Sequence, residues 1–211
     1  MKIAIFLFDG VTALDAVGPY ESLARIAHTE VIFVAKTPGL VRTGDGFLAL
    51  HADAGIDDVA EADILIMPGG HVRGFRAAMA DTDLHAWIRR IDTVSRWTCS
   101  VCTGALILAA AGLLSERKAS THWRAKGGLP RFGAIYSAAR VTIDGKYISS
   151  AGVSAGIDMG LYLCGEVVGR EVAEAIELSM HYDPQPPFGT GDAERFATPS
   201  RIDLIEKVLR Q

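Results

Sequence analysis

The sequence has no concentration of positive charge. Its 211 residues carry 21 Lys and Arg against 25 Asp and Glu, a net charge of −4, with no basic block. That excludes nucleic acid as the main partner, because holding phosphates needs a concentrated positive face. Long apolar runs are also missing. Met1 to Phe8 is too short to span a bilayer and is not followed by a signal-peptide cleavage pattern. No other run reaches membrane length, so a protein of the cytoplasm with no membrane partner is expected. Cysteine is scarce, three in all, and these are expected to be thiols rather than a disulfide framework. His28, His51, His71, His85 and His181 show no metal-ligand spacing among themselves or with cysteine. No Walker sequence is present, and Gly44-Asp45-Gly46 precedes no helix, so it is no dinucleotide fingerprint. Neither metal nor cofactor is expected, and the expected partner is a small-molecule substrate. No Pro/Ser-rich linker, repeat or low-complexity tract divides the chain, so residues 1–211 read as one domain.

What is present is an alternation of strand and helix patterns. Lys2 to Phe8, Val31 to Ala35, Ile64 to Met67 and Trp97 to Val101 are short apolar runs of the kind found in buried parallel strands. Val41 to His51 reads as a small hairpin about Gly44-Asp45-Gly46, and Asp144-Gly145 turns a second hairpin between Val141–Ile143 and Tyr147–Ser150. A further strand piece falls at Ala134-Ile135. Helices are expected from Gly18-Pro19 onward, over 83–94, over 105–111 with Gly112 as the stop, at Thr121-His122-Trp123, from Ser154 to Val168, and from Arg170 to His181. Asp183 to Gly191 is too rich in proline and glycine for regular structure and reads as a surface arm, with a closing helix over 201–209. The pattern predicts an α/β fold with one doubly wound, mostly parallel sheet and helices on both faces.

The chemistry centres on Trp97-Thr98-Cys99-Ser100-Val101-Cys102-Thr103-Gly104. A strand pattern passes directly into a helix pattern, placing Cys102 at the corner with the small residues Ser100 and Gly104 on either side. This is the arrangement of a nucleophile elbow with sulfur in place of oxygen. The helix start should favour the thiolate. Cys99, three residues earlier on a strand, and Cys164, inside an apolar helix, read as core, which argues against a redox C-x-x-C.

Other candidates follow from where ligands bind in such sheets, beyond the carboxyl ends of the strands. Asp15, in the loop before its helix and between apolar neighbours, is expected to share a proton with the thiol, since two adjacent charges are costly. Glu21 is the rival carboxylate. The bare backbone of Gly69-Gly70 could bring N–H groups to developing negative charge. His122 is a further candidate base.

Together, Leu14-Asp15-Ala16-Val17-Gly18-Pro19, Met67-Pro68-Gly69-Gly70, Ser100-Val101-Cys102-Thr103-Gly104-Ala105, Ala110-Ala111-Gly112-Leu113-Leu114, Ala119-Ser120-Thr121-His122-Trp123, Gly152-Val153-Ser154-Ala155-Gly156-Ile157-Asp158 and Tyr182-Asp183-Pro184-Gln185-Pro186-Pro187-Phe188 resemble the ThiJ/PfpI family. That family's fold resembles class I glutamine amidotransferases and is flavodoxin-like. The likeness is to the branch of isonitrile hydratases and of the ligand-sensing halves of AraC-type regulators. The protease branch has a histidine directly after the cysteine, where this chain has Thr103. The regulator branch continues into a helix-turn-helix, and Gln211 is reached without one, so a sensor would have to act through another protein. The resemblance implies water addition to an isonitrile, with Cys102 as nucleophile, Asp15 as acid and base, and the Thr103 hydroxyl holding Asp15. It places the Gly70 and Val153-Ser154 backbone along the pocket and implies a homodimer. Other activities open to the same pocket are a glyoxalase-like reaction on an aldehyde and redox or ligand sensing through Cys102.

Overall fold

A computed structural model describes residues 1–208. Its strands are β1 (Lys2–Phe6), β2 (Glu30–Ala35), β3 (Gly39–Arg42), β4 (Ala49–Ala52), β5 (Ala54–Gly55), β6 (Ile64–Met67), β7 (Trp97–Val101), β8 (Lys118–Ala119), β9 (Ile135–Tyr136), β10 (Val141–Asp144) and β11 (Tyr147–Ser150). Its helices are α1 (Ala13–Leu23), α2 (Val72–Ala80), α3 (Thr82–Val94), α4 (Gly104–Ala110), α5 (Ala155–Val168), α6 (Arg170–Ser179), α7 (Ala193–Phe196) and α8 (Pro199–Val208). A 3₁₀ segment runs from Trp123 to Phe132.

Seven strands form one sheet in the order β10-β11-β7-β6-β1-β2-β5. All neighbours are parallel except the β10–β11 hairpin. From β1 the chain first builds outward through β2. It then returns to the other side of β1 as β6, which makes the gap beyond the carboxyl ends of β1 and β6 the switch point where such sheets bind ligands. The loops leaving these strands are tied there by an isolated bridge between Val11 and Gly70.

Strand side chains alternate between two cores because the strand period is two. Ala4, Phe6, Leu65 and Met67 enter one core with residues of α3 and α4. Ile3, Ile5, Ile64, Ile66, Cys99 and Val101 enter the other with residues of α1 and α5. Burial on both faces explains why these strands read as unbroken apolar runs. The mostly parallel sheet with helices on both faces is the expected fold class. Among the described residues no helix is long and apolar enough to cross a membrane.

Helix α1 starts earlier than the proline suggested. It opens at Ala13 and keeps Pro19 in its interior. A mid-helix proline forgoes the hydrogen bond its N–H would give four residues back. Here Pro19 packs against two glycines of α5: a Cβ on Gly156 would lie 3.2 Å from Pro19 Cδ, and one on Gly160 would lie 3.0 Å from Pro19 Cα and collide with Ser22 Oγ. The ring thus fills a helix crossing that larger residues would hold apart. Helix α2 has no counterpart in the sequence reading. Gly74 in its first turn lowers helix propensity, yet any side chain there would strike the Asp9 carbonyl. The expected arm has irregular, exposed backbone over 183–191. Of the expected closing helix, position 209 lies outside the described residues.

The α1–α5 crossing predicts a stability difference. Gly160→Ala should lower the unfolding free energy by about 2 kcal/mol through overpacking. Gly127→Ala, with open space around it, should change it by under about 0.5 kcal/mol. Denaturant melts of the two variants check this.

Candidate active site

Cys102 follows β7 and precedes α4, and its backbone takes φ +58°, a left-handed conformation that costs a non-glycine residue about 1–3 kcal/mol. The surroundings hold it there. Its N–H donates to the Ser150 carbonyl at 3.1 Å, and its carbonyl accepts from the Thr121 hydroxyl at 2.8 Å. Gly104 passes so close to the Met67 carbonyl that no Cβ would fit, which lets the elbow lie on β6. Val153, opposite, is also in positive φ.

Asp15 sits in the first turn of α1, not in the loop before it, with its side chain wholly buried. Its Oδ2 accepts from Gly69 N–H at 3.0 Å, while Oδ1 has no well-aligned hydrogen-bond partner. The Cys102 thiol is its side-chain neighbour. Burial raises the Asp15 pKa from 3.8 to about 7, against the opposing pull of the thiol and of Gly69 N–H. The fold thus brings Asp15 and Cys102 into contact.

The state of the sulfur differs from the expectation of a thiolate. Burial first, then the neighbouring Asp15 charge, push the Cys102 thiol well above the usual thiol range. The backbone N–H groups of Thr103 and Val153 act on the sulfur in the other direction but do not outweigh burial. The sulfur therefore rests as a thiol with these two N–H groups directed at it.

The glycine turn also has a different task from the expected one. Gly69 N–H is taken by Asp15 and Gly70 N–H by the Thr103 hydroxyl at 3.0 Å, so neither is left for a substrate. The turn holds the acid. The Thr103 hydroxyl consequently acts on Asp15 through the turn, not through a bond of its own. A Cβ on Gly69 would lie 2.6 Å from Thr103 Oγ1 and 2.9 Å from Asp15 Oδ2, so only glycine lets these groups meet.

Gly70, Cys102, His122 and Val153 line a cavity of about 990 Å³. Its walls include Phe75, Met79, Leu106 and Phe132, and Ile205 of α8 also lines it. His122 caps the 3₁₀ segment, its Nδ1 accepting from Arg124 N–H at 3.3 Å. Burial, then the Arg124 charge, lower its pKa and keep it neutral. Glu21 and Ser154 are not brought to the site. Glu21 pairs with Arg25 at 3.0 Å on the exposed side of α1, and the exposed Ser154 hydroxyl accepts from Arg140 at 3.2 Å. Cys99 is fully buried and not bonded to Cys102. Among the described residues no group of three His, Cys, Asp or Glu side chains could hold a metal. The contribution of α2 to the cavity was not legible, because the helix itself was not.

Comparison with known proteins sets this site in context. The isonitrile hydratase of Pseudomonas putida is 37% identical over 194 residues, covering 92% of this chain and 84% of that protein. The HTH-type transcriptional regulator CdhR of Pseudomonas aeruginosa is 33% identical over 179 residues, 79% of this chain but 51% of the regulator. Among solved structures, a ThiJ/PfpI family protein from Pseudomonas syringae superposes with a TM-score of 0.92 at 34% identity, over 98% of this chain and 86% of that one. DJ-1beta of Drosophila melanogaster shares the fold, with a TM-score of 0.77 at 18% identity over 87% of this chain and 98% of its own. Residues 1–166 match the DJ-1/PfpI family, and the chain belongs to that family.

Proposed function

We propose that the protein is a hydro-lyase that adds water to an isonitrile to give an N-substituted formamide, with Cys102 as nucleophile and Asp15 as acid and base. The observation that carries this reading is the contact between Cys102, which lines the cavity, and the buried Asp15 behind it, two groups that cannot both be charged cheaply. The P. putida relative named for this activity supports it.

The terminal carbon of an isonitrile must gain both a sulfur and a proton. Asp15 accepts the thiol proton as the sulfur bonds to that carbon, then delivers the same proton to the carbon. The product is a thioimidate, R–N=CH–S–Cys102, and Asp15 is again a carboxylate. Water then attacks the thioimidate carbon. Asp15 takes a proton from the water and passes it to the nitrogen. The C–S bond breaks as the carbonyl forms, and the hydroxyl proton returns to the sulfur. The formamide R–NH–CHO leaves, and thiol and carboxylate are regenerated. Charge on sulfur exists only at the transition states, where the Thr103 and Val153 N–H groups meet it. A raised pKa suits the double task, since an acid near neutrality both gives and takes a proton readily.

Cys102→Ala is expected to abolish hydration of an aryl isonitrile, and Asp15→Asn to lower kcat/KM about a hundredfold or more with the fold retained by circular dichroism. Wild-type rates in either variant contradict the assignment. Comparing an isonitrile with methylglyoxal tests the substrate class.

The pH profile follows from the same pair. Attack needs the pair to have lost one proton, and Asp15 supplies that ionisation near pH 7. The kcat/KM is expected to rise about tenfold per unit below that value and to level off above it. A profile flat across neutrality contradicts the assignment of the base.

A further inference from the structure

The charge around the cavity runs against the charge of the whole chain. The protein carries −4 overall, yet Arg76, Arg124 and Arg131 all line the cavity, with Asp45 as the only acidic lining residue among those described. Asp45 is committed locally. Its Oδ1 accepts from the Thr43 hydroxyl at 2.6 Å and from Phe47 N–H at 3.1 Å, and these bonds hold its pKa below the usual value. Arg124 is matched by Glu206 at 3.2 Å. Arg76 and Arg131 are not matched. Among the described residues every arginine except Arg73, Arg76 and Arg131 has an acidic, carbonyl or aromatic partner. Two of the three unpartnered guanidiniums face the one cavity that holds Cys102, and Arg73 does not line it.

Their placement sets a length. Val72, Phe75, Arg76 and Met79 are the lining residues of α2, spaced as one helix face. The helix leaves from the Gly69-Gly70 turn that holds Asp15 and Thr103. Four residues of helical rise carry Arg76 about 6 Å beyond Val72. The same cavity is lined by Phe75, Met79, Leu106 and Phe132, apolar side chains suited to a ring.

We propose that the cavity selects an isonitrile bearing a carboxylate across a ring-sized apolar spacer, with Arg76 and Arg131 as the residues that recognise the anion. This rests on the hydratase reading for the reacting end only. Guanidinium–carboxylate pairs are directional and always charged on the arginine side. At an exposed rim they are screened by salt, so the preference is modest.

The test compares para-isocyanobenzoate with the neutral para-isocyanobenzamide. Wild type is expected to favour the acid about tenfold in kcat/KM, chiefly through KM, with the ratio falling as salt is added. In R76Q/R131Q the ratio should approach one, and in R73Q it should stay as in wild type. Equal use of the two by wild type, or a ratio that survives R76Q/R131Q, overturns the proposal. If neither isonitrile is hydrated, the hydratase reading fails by itself, and calorimetry with para-formamidobenzoate and its amide decides the anion subsite. Tighter binding of the acid by wild type that is lost in R76Q/R131Q retains the subsite, and equal binding removes it.

Discussion

The burial of two neighbouring ionisable groups is the constraint on which this site depends. Asp15 and Cys102 lie where solvent cannot stabilise a charge on either, and the Asp15 charge disfavours ionisation of the thiol while the thiol's hydrogen bond eases that of Asp15. In water the carboxyl would lose its proton long before the thiol. Here burial raises the carboxyl pKa to about 7, which suits the proposed exchange of a proton in both directions. In the proposed reaction the nucleophile is made at the moment of use. A permanent thiolate would need a permanent counter-charge beside it, and among the described residues no cation acts on the Cys102 sulfur.

Keeping a carboxyl in such a place is costly, and much of the local architecture serves that end. The strained elbow is anchored from β11 through Ser150 and from Thr121. Gly69 and Gly104 remove the side chains that would separate α1, β6 and β7 at the pair. The Thr103 hydroxyl fixes the glycine turn, and the turn fixes Asp15. The return of the chain past β1, from β2 to β6, brings these pieces to one edge of the sheet. The long α1–α5 contact, possible because Gly156 and Gly160 admit Pro19, secures the helix that carries the acid.

The sheet was legible in the sequence because parallel strands buried on both faces are unbroken apolar runs, and β6 and β7 fall where those runs lie. Cys102 was legible because a strand pattern passes into a helix pattern with no loop between. Three features escaped for identifiable reasons. Pro19 suggested a helix start, whereas tertiary packing against α5 overrides the local cost. Gly74 hid α2, since the need for a bare Cα over Asp9 cannot be seen from propensity. The thiolate was inferred from a helix start alone, and the burial that reverses it depends on residues far apart in sequence. The partners of Gly69 and Gly70 were misjudged for the same reason: hydrogen bonds across the sheet edge leave no local pattern.

The central claim is where the proton rests. Infrared spectroscopy of the carboxylic acid carbonyl stretch, titrated across neutrality with ultraviolet absorbance of the thiolate followed in parallel, reads it directly. A protonated carboxyl that ionises near pH 7, absent from Asp15→Asn and unaccompanied by thiolate absorbance from Cys102, is the predicted result. A full thiolate signal below neutrality, with no protonated carboxyl, would contradict the account.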